Sequence, residues 1–331
     1  MSKRIALVTG GTGYIGSHTC VVLIEAGYDV IIADNLYNSK LDVLDKIESI
    51  TGKKPKFYCA DVSNKEELDV IFKENKIDSI LHFAGYKAVG ESVGVPLKYY
   101  RNNLLGTIAL AECALEYQVP KFIFSSSATV YGDGSVPYRE SNPLLPSTNP
   151  YGETKVMSER ILSDTAKVNP GLSVTLLRYF NPIGAHKSGL IGEIPVGTPN
   201  NLMPYITQVA KGKLAKLRVF GSDYDTVDGT GVRDFIHVVD LAYGHMAALE
   251  KMKQGVNVYN LGTGKGTSVL ELIHTFQNVN NITIPYDIVD RRPGDVASSY
   301  ADVSKAWEEL GWKTEKSVED MCRDSWFFEK N

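Results

Sequence analysis

Apolar residues follow two alternating textures along the first half of the chain. Short continuous runs, IALVTG (5–10), DVIIAD (29–34), KFYCAD (56–61), SILHFAG (79–85), KFIFSSS (121–127) and SVTLLRYF (173–180), predict strands covered on both faces. Between them, apolar positions recur at helical spacing over 14–26, about 40–51, 64–75, 92–117 and 150–168. Strand–helix alternation of this kind predicts an α/β fold, a doubly wound parallel sheet with helices on both sides.

After Phe180 the texture changes. Residues 181–235 are rich in Pro, Gly and Asn and only weakly periodic; a helix (238–252), a strand (256–260) and helices at 267–277 and 303–310 are expected to follow. The expectation is a first domain over 1–180 and a smaller, loop-rich domain over 181–331. The second closes over the sheet's carboxyl edge, with some segments returning to the first. Internal repeats and low-complexity segments are absent from the sequence.

Bulk composition narrows the function classes without selecting one. The chain has 331 residues, 43% hydrophobic and 22% charged, enough for a sizeable core. A net charge of −4 gives no electrostatic reason to expect nucleic acid or an anionic membrane. The start, MSKRIALV, is basic and then apolar, but its apolar run stops at GGTG, too short for a signal-peptide core. No stretch approaches the ~20 apolar residues of a membrane span. Cys20, Cys59, Cys113 and Cys322 lie far apart without metal-site spacing and read as reduced thiols of a cytoplasmic protein, so no metal is expected.

The candidate chemistry begins at GGTGYIG (10–16), between the first expected strand and the first expected helix. It satisfies GxGxxG through Gly11, Gly13 and Gly16, and GxxGxxG through Gly10, Gly13 and Gly16. Such glycines let the backbone turn tightly and approach a pyrophosphate at a helix N-terminus, the Rossmann dinucleotide arrangement. Asp34 ends the second strand at the distance the motif requires. An acid there accepts hydrogen bonds from ribose hydroxyls and repels a 2′-phosphate, which favours NAD over NADP. Asp61, ending the third strand, either faces the adenine edge or merely terminates the strand.

A second cluster is NPYGETK (149–155). Asn149 reads as an N-cap and Pro150 as the first helical residue. A lysine in the first turns faces the positive end of the macrodipole, an unfavourable place unless chemistry holds it there. Tyr151 and Lys155 are four apart and share a face. An ammonium ~6 Å from a phenol at an effective dielectric of ~20 favours phenolate by roughly 3 kcal/mol, about two pKa units, towards what a general base needs. Ser125, Ser126 and Ser127 sit at a strand's carboxyl end, where a hydroxyl can share the substrate proton with Tyr151.

The segments GGTGYIGSHT, DNLYNS, HFAGYKAVGESV, YYRNN, SSSATVYG, NPYGETK, RYFNPIGAH, NNLMPYI, GTGVRDFIHVVDLA and RRPGD together resemble the UDP-glucose 4-epimerase family of extended short-chain dehydrogenases/reductases, over essentially the whole length. The resemblance implies that Tyr151, helped by Ser127 and Lys155, takes the proton of the sugar 4-hydroxyl while hydride passes from C4 to retained NAD. The 4-keto sugar then turns over and takes the hydride back on its other face. It implies Tyr14 and Ile15 at the pyrophosphate, and Asp34, Asn35, Asn38 and Ser39 around the adenosine ribose. Asp61 and Val62 would meet adenine, and Phe83, Lys87, Asn102 and Phe180 the rest of the cofactor. For the UDP-sugar it implies Asn181, Asn201, Leu202, Phe220, Arg233, Arg292 and Asp295. Planar guanidinium forks suit a diphosphate, although both arginines could equally be paired with Asp234 or Asp295. A homodimer through paired helices at 92–117 and 150–168 is also implied.

One position departs from many bacterial relatives: Ser299, followed by Tyr300, stands where they carry tyrosine. So small a side chain leaves room for a bulkier C2 group, and N-acetylated UDP-hexosamines become expected substrates besides UDP-glucose and UDP-galactose. A 4,6-dehydratase on this scaffold needs an acid at the strand end, where this chain has Ser127, Ala128 and Thr129. A UDP-glucuronate epimerase or decarboxylase is harder to separate, because its carboxylate-binding residues are scattered. A non-enzymatic dinucleotide sensor would have no need of Tyr151 and Lys155.

Overall fold

The computed structural model describes residues 4–197, 199–292 and 294–331. The first three residues of the MSKRIALV start and Pro293 of the RRPGD segment lie outside the described residues. Seven strands form the central sheet. Six come from the first half: β1 (Ile5–Thr9), β2 (Asp29–Asp34), β3 (Lys56–Cys59), β4 (Ser79–His82), β5 (Lys121–Ser125) and β6 (Ser173–Tyr179). The seventh, Val256–Leu261, lies beside β6. Across the sheet the order is β3, β2, β1, β4, β5, β6 and then Val256–Leu261, every neighbouring pair parallel. The order reverses between β1 and β4, the position at which such sheets take their ligands.

Except in the edge strand β3, whose residues are exposed or half-buried, both faces of these first-half strands are buried, which is why they read as unbroken apolar runs. In β1, Ala6 and Val8 enter one core while Leu7 enters the other. The first core packs against helices α1 (Tyr14–Glu25), α2 (Val43–Thr51) and Val238–Glu250. The second packs against α3 (Lys65–Glu74), α5 (Pro96–Glu116) and α6 (Pro150–Val168). The expected helix at 92–117 is in fact two, α4 (Val89–Gly94) and α5, broken at Pro96. Proline has no N–H and its ring clashes with the preceding turn, so it can begin α5 but cannot continue α4.

Beyond the sheet's carboxyl edge, residues after Phe180 build a separate core from Ile183, Met203, Ile206, Leu217, Phe235, Phe276, Met321 and Cys322. Elements not foreseen in the sequence lie here: helix Leu202–Ala210, parallel strands Leu217–Phe220 and Tyr286–Val289, and a final helix, Val318–Lys330. The final helix carries a capping box in which Ser317 and Asp320 satisfy each other's backbone N–H groups. Trp326 on this helix meets Phe276 edge-to-face. No helix among the described residues is long and apolar enough to cross a membrane.

Because this cap holds the helix that closes the second core, Ser317→Ala is expected to lower unfolding stability by about 1 kcal/mol. Chemical denaturation of the two proteins side by side measures the difference.

Candidate active site

The glycine loop between β1 and α1 is built for close approach. Gly10 has φ +70, and a Cβ on Gly16 would come 2.2 Å from the Gly10 carbonyl oxygen. Gly13 caps α1 by position but supplies no side-chain hydrogen bond, and the first turn holds no acid. Those first N–H groups therefore face outward as donors for an anion. The Asp34 carboxylate accepts from Thr12 N (3.2 Å) and Leu36 N (2.9 Å), clamping the glycine loop to the end of β2. Ser39 joins the same clamp through Thr12 Oγ1 at 2.7 Å. A closely approachable backbone, an uncapped helix N-terminus and a buried acid one strand away fit a dinucleotide.

Residues expected around that cofactor fall into two groups. Gly10, Gly13 and Gly16, with Asp34 and Ser39, lie together, and Asn35 and Asn38 are exposed beside them. Tyr14 and Ile15 can offer only main chain at the loop, because Tyr14 Oη donates to the Gly184 carbonyl (2.6 Å) and Ile15 packs against the core. Asp61 holds a turn, accepting from Ser63 N (2.9 Å) and Oγ (2.7 Å), and Val62 is buried against Gly106. Phe83 packs on the first core and Phe180 on Tyr138, while Asn102 donates to Asn103 (3.0 Å). Lys87 is half exposed and pairs with Glu193 at 2.9 Å.

At the carboxyl end of β5 the structure brings Tyr151, Lys155 and Ser127 together. Asn149 accepts from Gly152 N (2.9 Å), so the helix begins where the NPYG pattern predicts and both side chains face the sheet edge. Ser127 Oγ accepts from Thr129 N (3.2 Å) and Thr129 Oγ1 (3.0 Å), leaving its own proton to give elsewhere. Lys155 Nζ is buried, donates to the Ser125 carbonyl at 2.6 Å and lies 4.8 Å above the Phe124 ring. Burial lowers its pKa to about 8, with Glu159 resisting the fall.

Tyr151 departs from the expectation. Burial raises its phenol to about 12, and the relief comes from the neighbouring Ser127 hydroxyl rather than from Lys155. The lysine lies 5.9 Å from the tyrosine ring and spends its charge on the Ser125 carbonyl. Desolvation of the phenolate outweighs the attraction that spacing alone suggests.

Beneath this cluster runs a buried ion pair not foreseen from the sequence. Arg178 donates to Glu159 through Nε (2.9 Å to Oε1) and Nη2 (2.7 Å to Oε2), and Ser126 Oγ donates to the same carboxylate at 2.5 Å. Arg178 also reaches Tyr131, whose hydroxyl donates to Asn260 at 2.6 Å. The signal was present: Tyr151, Lys155 and Glu159 repeat every four residues on one helix face, and Arg178 is a charge inside an apolar strand run.

The residues expected to hold a nucleotide-sugar lie across the cleft, on the segments beyond Phe180. Ser299 and Arg233 occupy paired positions on two parallel strands. Arg233 Nη1 is held by the Val232 carbonyl at 2.8 Å; burial depresses its guanidinium, Asp295 opposes this, and the Arg292 charge adds to it. Arg292 lies 4.4 Å over the Phe220 ring. Among the described residues neither arginine forms a salt bridge, so the pairing with Asp234 or Asp295 does not occur. The Asp234 carboxylate instead holds Thr263, Gly264 and Ala301. Asn181 sits on a short strand beside Phe235. Asn201 precedes the Leu202 helix without capping it and donates to Glu193 at 2.7 Å. Glu193, absent from the sequence reading, thus joins Lys87 to Asn201.

Comparison with known proteins identifies the family. Residues 6–262 match the model of the NAD dependent epimerase/dehydratase family. The chain belongs to that family. Within it, the chain groups with the UDP-glucose 4-epimerases. It is 57% identical to that of Bacillus subtilis (strain 168), covering 97% of this chain and 95% of the relative, and 56% identical to that of Haemophilus influenzae, covering 98% and 97%. The UDP-glucose 4-epimerase of Bifidobacterium longum, solved with NAD+ and UDP, superposes with a TM-score of 0.96 at 51% identity, covering 99% of this chain and 98% of that one. The UDP-Glc/GlcNAc 4-epimerase of Campylobacter jejuni superposes with a TM-score of 0.85 at 37% identity, covering 99% of each.

The Lys155 environment has a pH signature. A lysine titrating near 8 when folded and at 10.5 in the reference state leaves the unfolded chain holding more protons between those values. Stability attributable to it therefore rises with pH across that window and is flat below it. The stability of wild type minus that of Lys155→Met, from denaturation at stepped pH, should climb between pH 8 and 10.5.

Proposed function

We propose that this chain interconverts UDP-glucose and UDP-galactose by inversion at C4, with NAD retained as a reversible hydride acceptor. The observation that carries the reading is the Tyr151–Ser127–Lys155 cluster, set at the carboxyl end of β5 and facing the glycine loop across the point where strand order reverses. Tyr151, as the phenolate that Ser127 favours, takes the proton of the sugar 4-hydroxyl as hydride leaves C4 and gives it back as hydride returns. Ser127 relays by accepting the sugar proton while passing its own to Tyr151. Lys155 fixes the strand end through the Ser125 carbonyl and supplies a proton-exchanging amine with a pKa of about 8.

In this reading residues 1–180 form the cofactor domain and residues 181–331 the UDP-sugar domain, with Val256–Leu261 returning to the sheet. Gly10, Gly13, Tyr14, Ile15 and Gly16 offer backbone donors to the pyrophosphate, and Asp34, Asn35, Asn38 and Ser39 surround the ribose. Asp61 and Val62 meet adenine, while Phe83, Lys87, Asn102 and Phe180 line the remainder. Arg233 and Arg292 take the diphosphate of the substrate, supported by Asn181, Asn201, Leu202, Phe220 and Asp295. Two neighbouring guanidiniums, one of them desolvated, favour a bound dianion. Leu97, Leu105, Ile108 and Leu115 form an exposed helical stripe on α5 beside Met157 on α6, which supports pairing of these helices in a homodimer.

A coupled assay with no NAD added tests the central reading. Wild type should interconvert the two sugars, and Tyr151→Phe should lose activity by about 10²–10⁴-fold. Turnover of UDP-glucuronate in place of the neutral sugars would overturn the substrate assignment. The short Ser299 side chain, opposite Arg233 in the strand register, further predicts turnover of UDP-N-acetylglucosamine, and Ser299→Tyr should abolish that turnover selectively. No turnover under conditions that convert UDP-galactose would refute this point.

A further inference from the structure

The sheet order places β1 between β2 and β4, so any contact between the loops that follow β2 and β4 must cross above the glycine loop. Such a contact exists. Tyr37, from the loop after β2, and Tyr86, from the loop after β4, meet with ring centroids 4.9 Å apart. Lys98 on α5 bridges them: Nζ donates to Tyr37 Oη at 2.9 Å and lies 4.8 Å from the Tyr86 ring centroid. The lysine is held by Glu91 (2.7 Å), which also accepts from the buried Tyr99 (2.7 Å), and Tyr99 in turn packs against Tyr86.

At their bases the same two loops are joined to the glycine loop. Thr12 bonds Ser39 on one side, and on the other a Cβ on Gly10 would meet Ala84 N at 2.7 Å. The glycine loop is thus a floor, the two loops are walls, and the tyrosine pair with Lys98 is a roof. Tyr37 is 57% exposed, too open to serve as core packing, yet its ring and hydroxyl are both engaged. The Asp61 carboxylate lies within electrostatic reach of the Tyr86 phenol, so in the reading that sets Asp61 at adenine the roof stands over the adenosine half of the cleft.

We infer that Tyr37, Tyr86 and Lys98 form a strap across the dinucleotide cleft that must part before NAD enters or leaves, and that this strap sets the rate of cofactor exchange. The inference rests on the reading of the glycine loop as the NAD site. It assigns these three side chains to retention of the cofactor rather than to its chemistry.

The test loads the intact protein with labelled NAD, chases with unlabelled NAD, and separately times NAD uptake by quenching of tryptophan fluorescence. Tyr37→Ala should speed both release and uptake by about tenfold, the size expected from losing one aromatic pair and one cation–π contact. Its dissociation constant should move far less than either rate. Tyr37→Phe, which keeps the ring and loses the bond to Lys98, should fall between. Faster release with unchanged uptake would mark an ordinary contact to the cofactor and overturn the strap, as would unchanged rates in both variants. If wild type itself takes up no NAD, the cofactor reading and the strap fall together; if it binds NAD and the variants exchange at the wild-type rate, only the strap falls.

Discussion

The Tyr151–Ser127–Lys155 cluster leans on one buried ion pair. Arg178 projects from the sixth strand into the space beneath α6, where its desolvated guanidinium has to be met by a carboxylate in a fork geometry. Glu159 meets it with both oxygens. Because Glu159 lies one helical turn beyond Lys155, and Lys155 one turn beyond Tyr151, the pair sets the rotation of α6 about its own axis. A helix turned to any other angle would strand the guanidinium and carry the tyrosine away from the sheet edge. Ser126 bonds the same carboxylate, so the serine-bearing strand end and the tyrosine-bearing helix are referenced to a common point.

This arrangement also explains how the site tolerates groups displaced from their ordinary protonation. Lys155 is lowered and Tyr151 raised, each by loss of water. Neither is compensated by the other. The lysine donates a hydrogen bond to the Ser125 carbonyl and the tyrosine is relieved by Ser127, so each is held by a different neighbour. The opposite wall carries positive charge on Arg233 and Arg292, on segments with a core of their own. Proton-handling groups and anion-binding groups thus sit on different parts of the chain and meet only across the cleft.

The sheet was legible from sequence because both of its faces are buried. Strands of that kind appear as apolar runs, and the helices between them carry a regular period. The glycine loop and the start of α6 were legible because backbone geometry dictates residue type at those places, as at Gly16 and at Asn149–Pro150. The region after Phe180 was legible in part: the helices expected at 238–252, 267–277 and 303–310 and the strand at 256–260 are present, whereas Leu202–Ala210, Leu217–Phe220, Tyr286–Val289 and Val318–Lys330 were not foreseen. Those two strands are only four residues each, and helix Leu202–Ala210 is nine residues long inside a stretch rich in Pro, Gly and Asn, too short to stand out by period. Helix 318–330 did leave a cue in the Ser317–Asp320 box that went unused. Glu159 and Arg178 left cues that went unused, the four-residue repeat on α6 and a charge within an apolar run, whereas Glu193 left none, because it acts by joining Lys87 to Asn201 across the fold. The depressed basicity of Lys155 and the raised phenol of Tyr151 depend on burial, which only the folded chain sets.

The return of Val256–Leu261 to the sheet has a mechanical meaning. The chain crosses the carboxyl edge outward after Tyr179, inward at His237, where helix Val238–Glu250 begins to run back over the sheet, and outward again after Leu261. The chain then returns once more, placing Ala306, Leu310 and Trp312 in the first core before the last helix joins the second, so the two cores are stitched together at several places rather than held by one tether. Stitching of this kind resists displacement of the segments that carry Arg233 and Arg292 relative to the sheet edge that carries Tyr151.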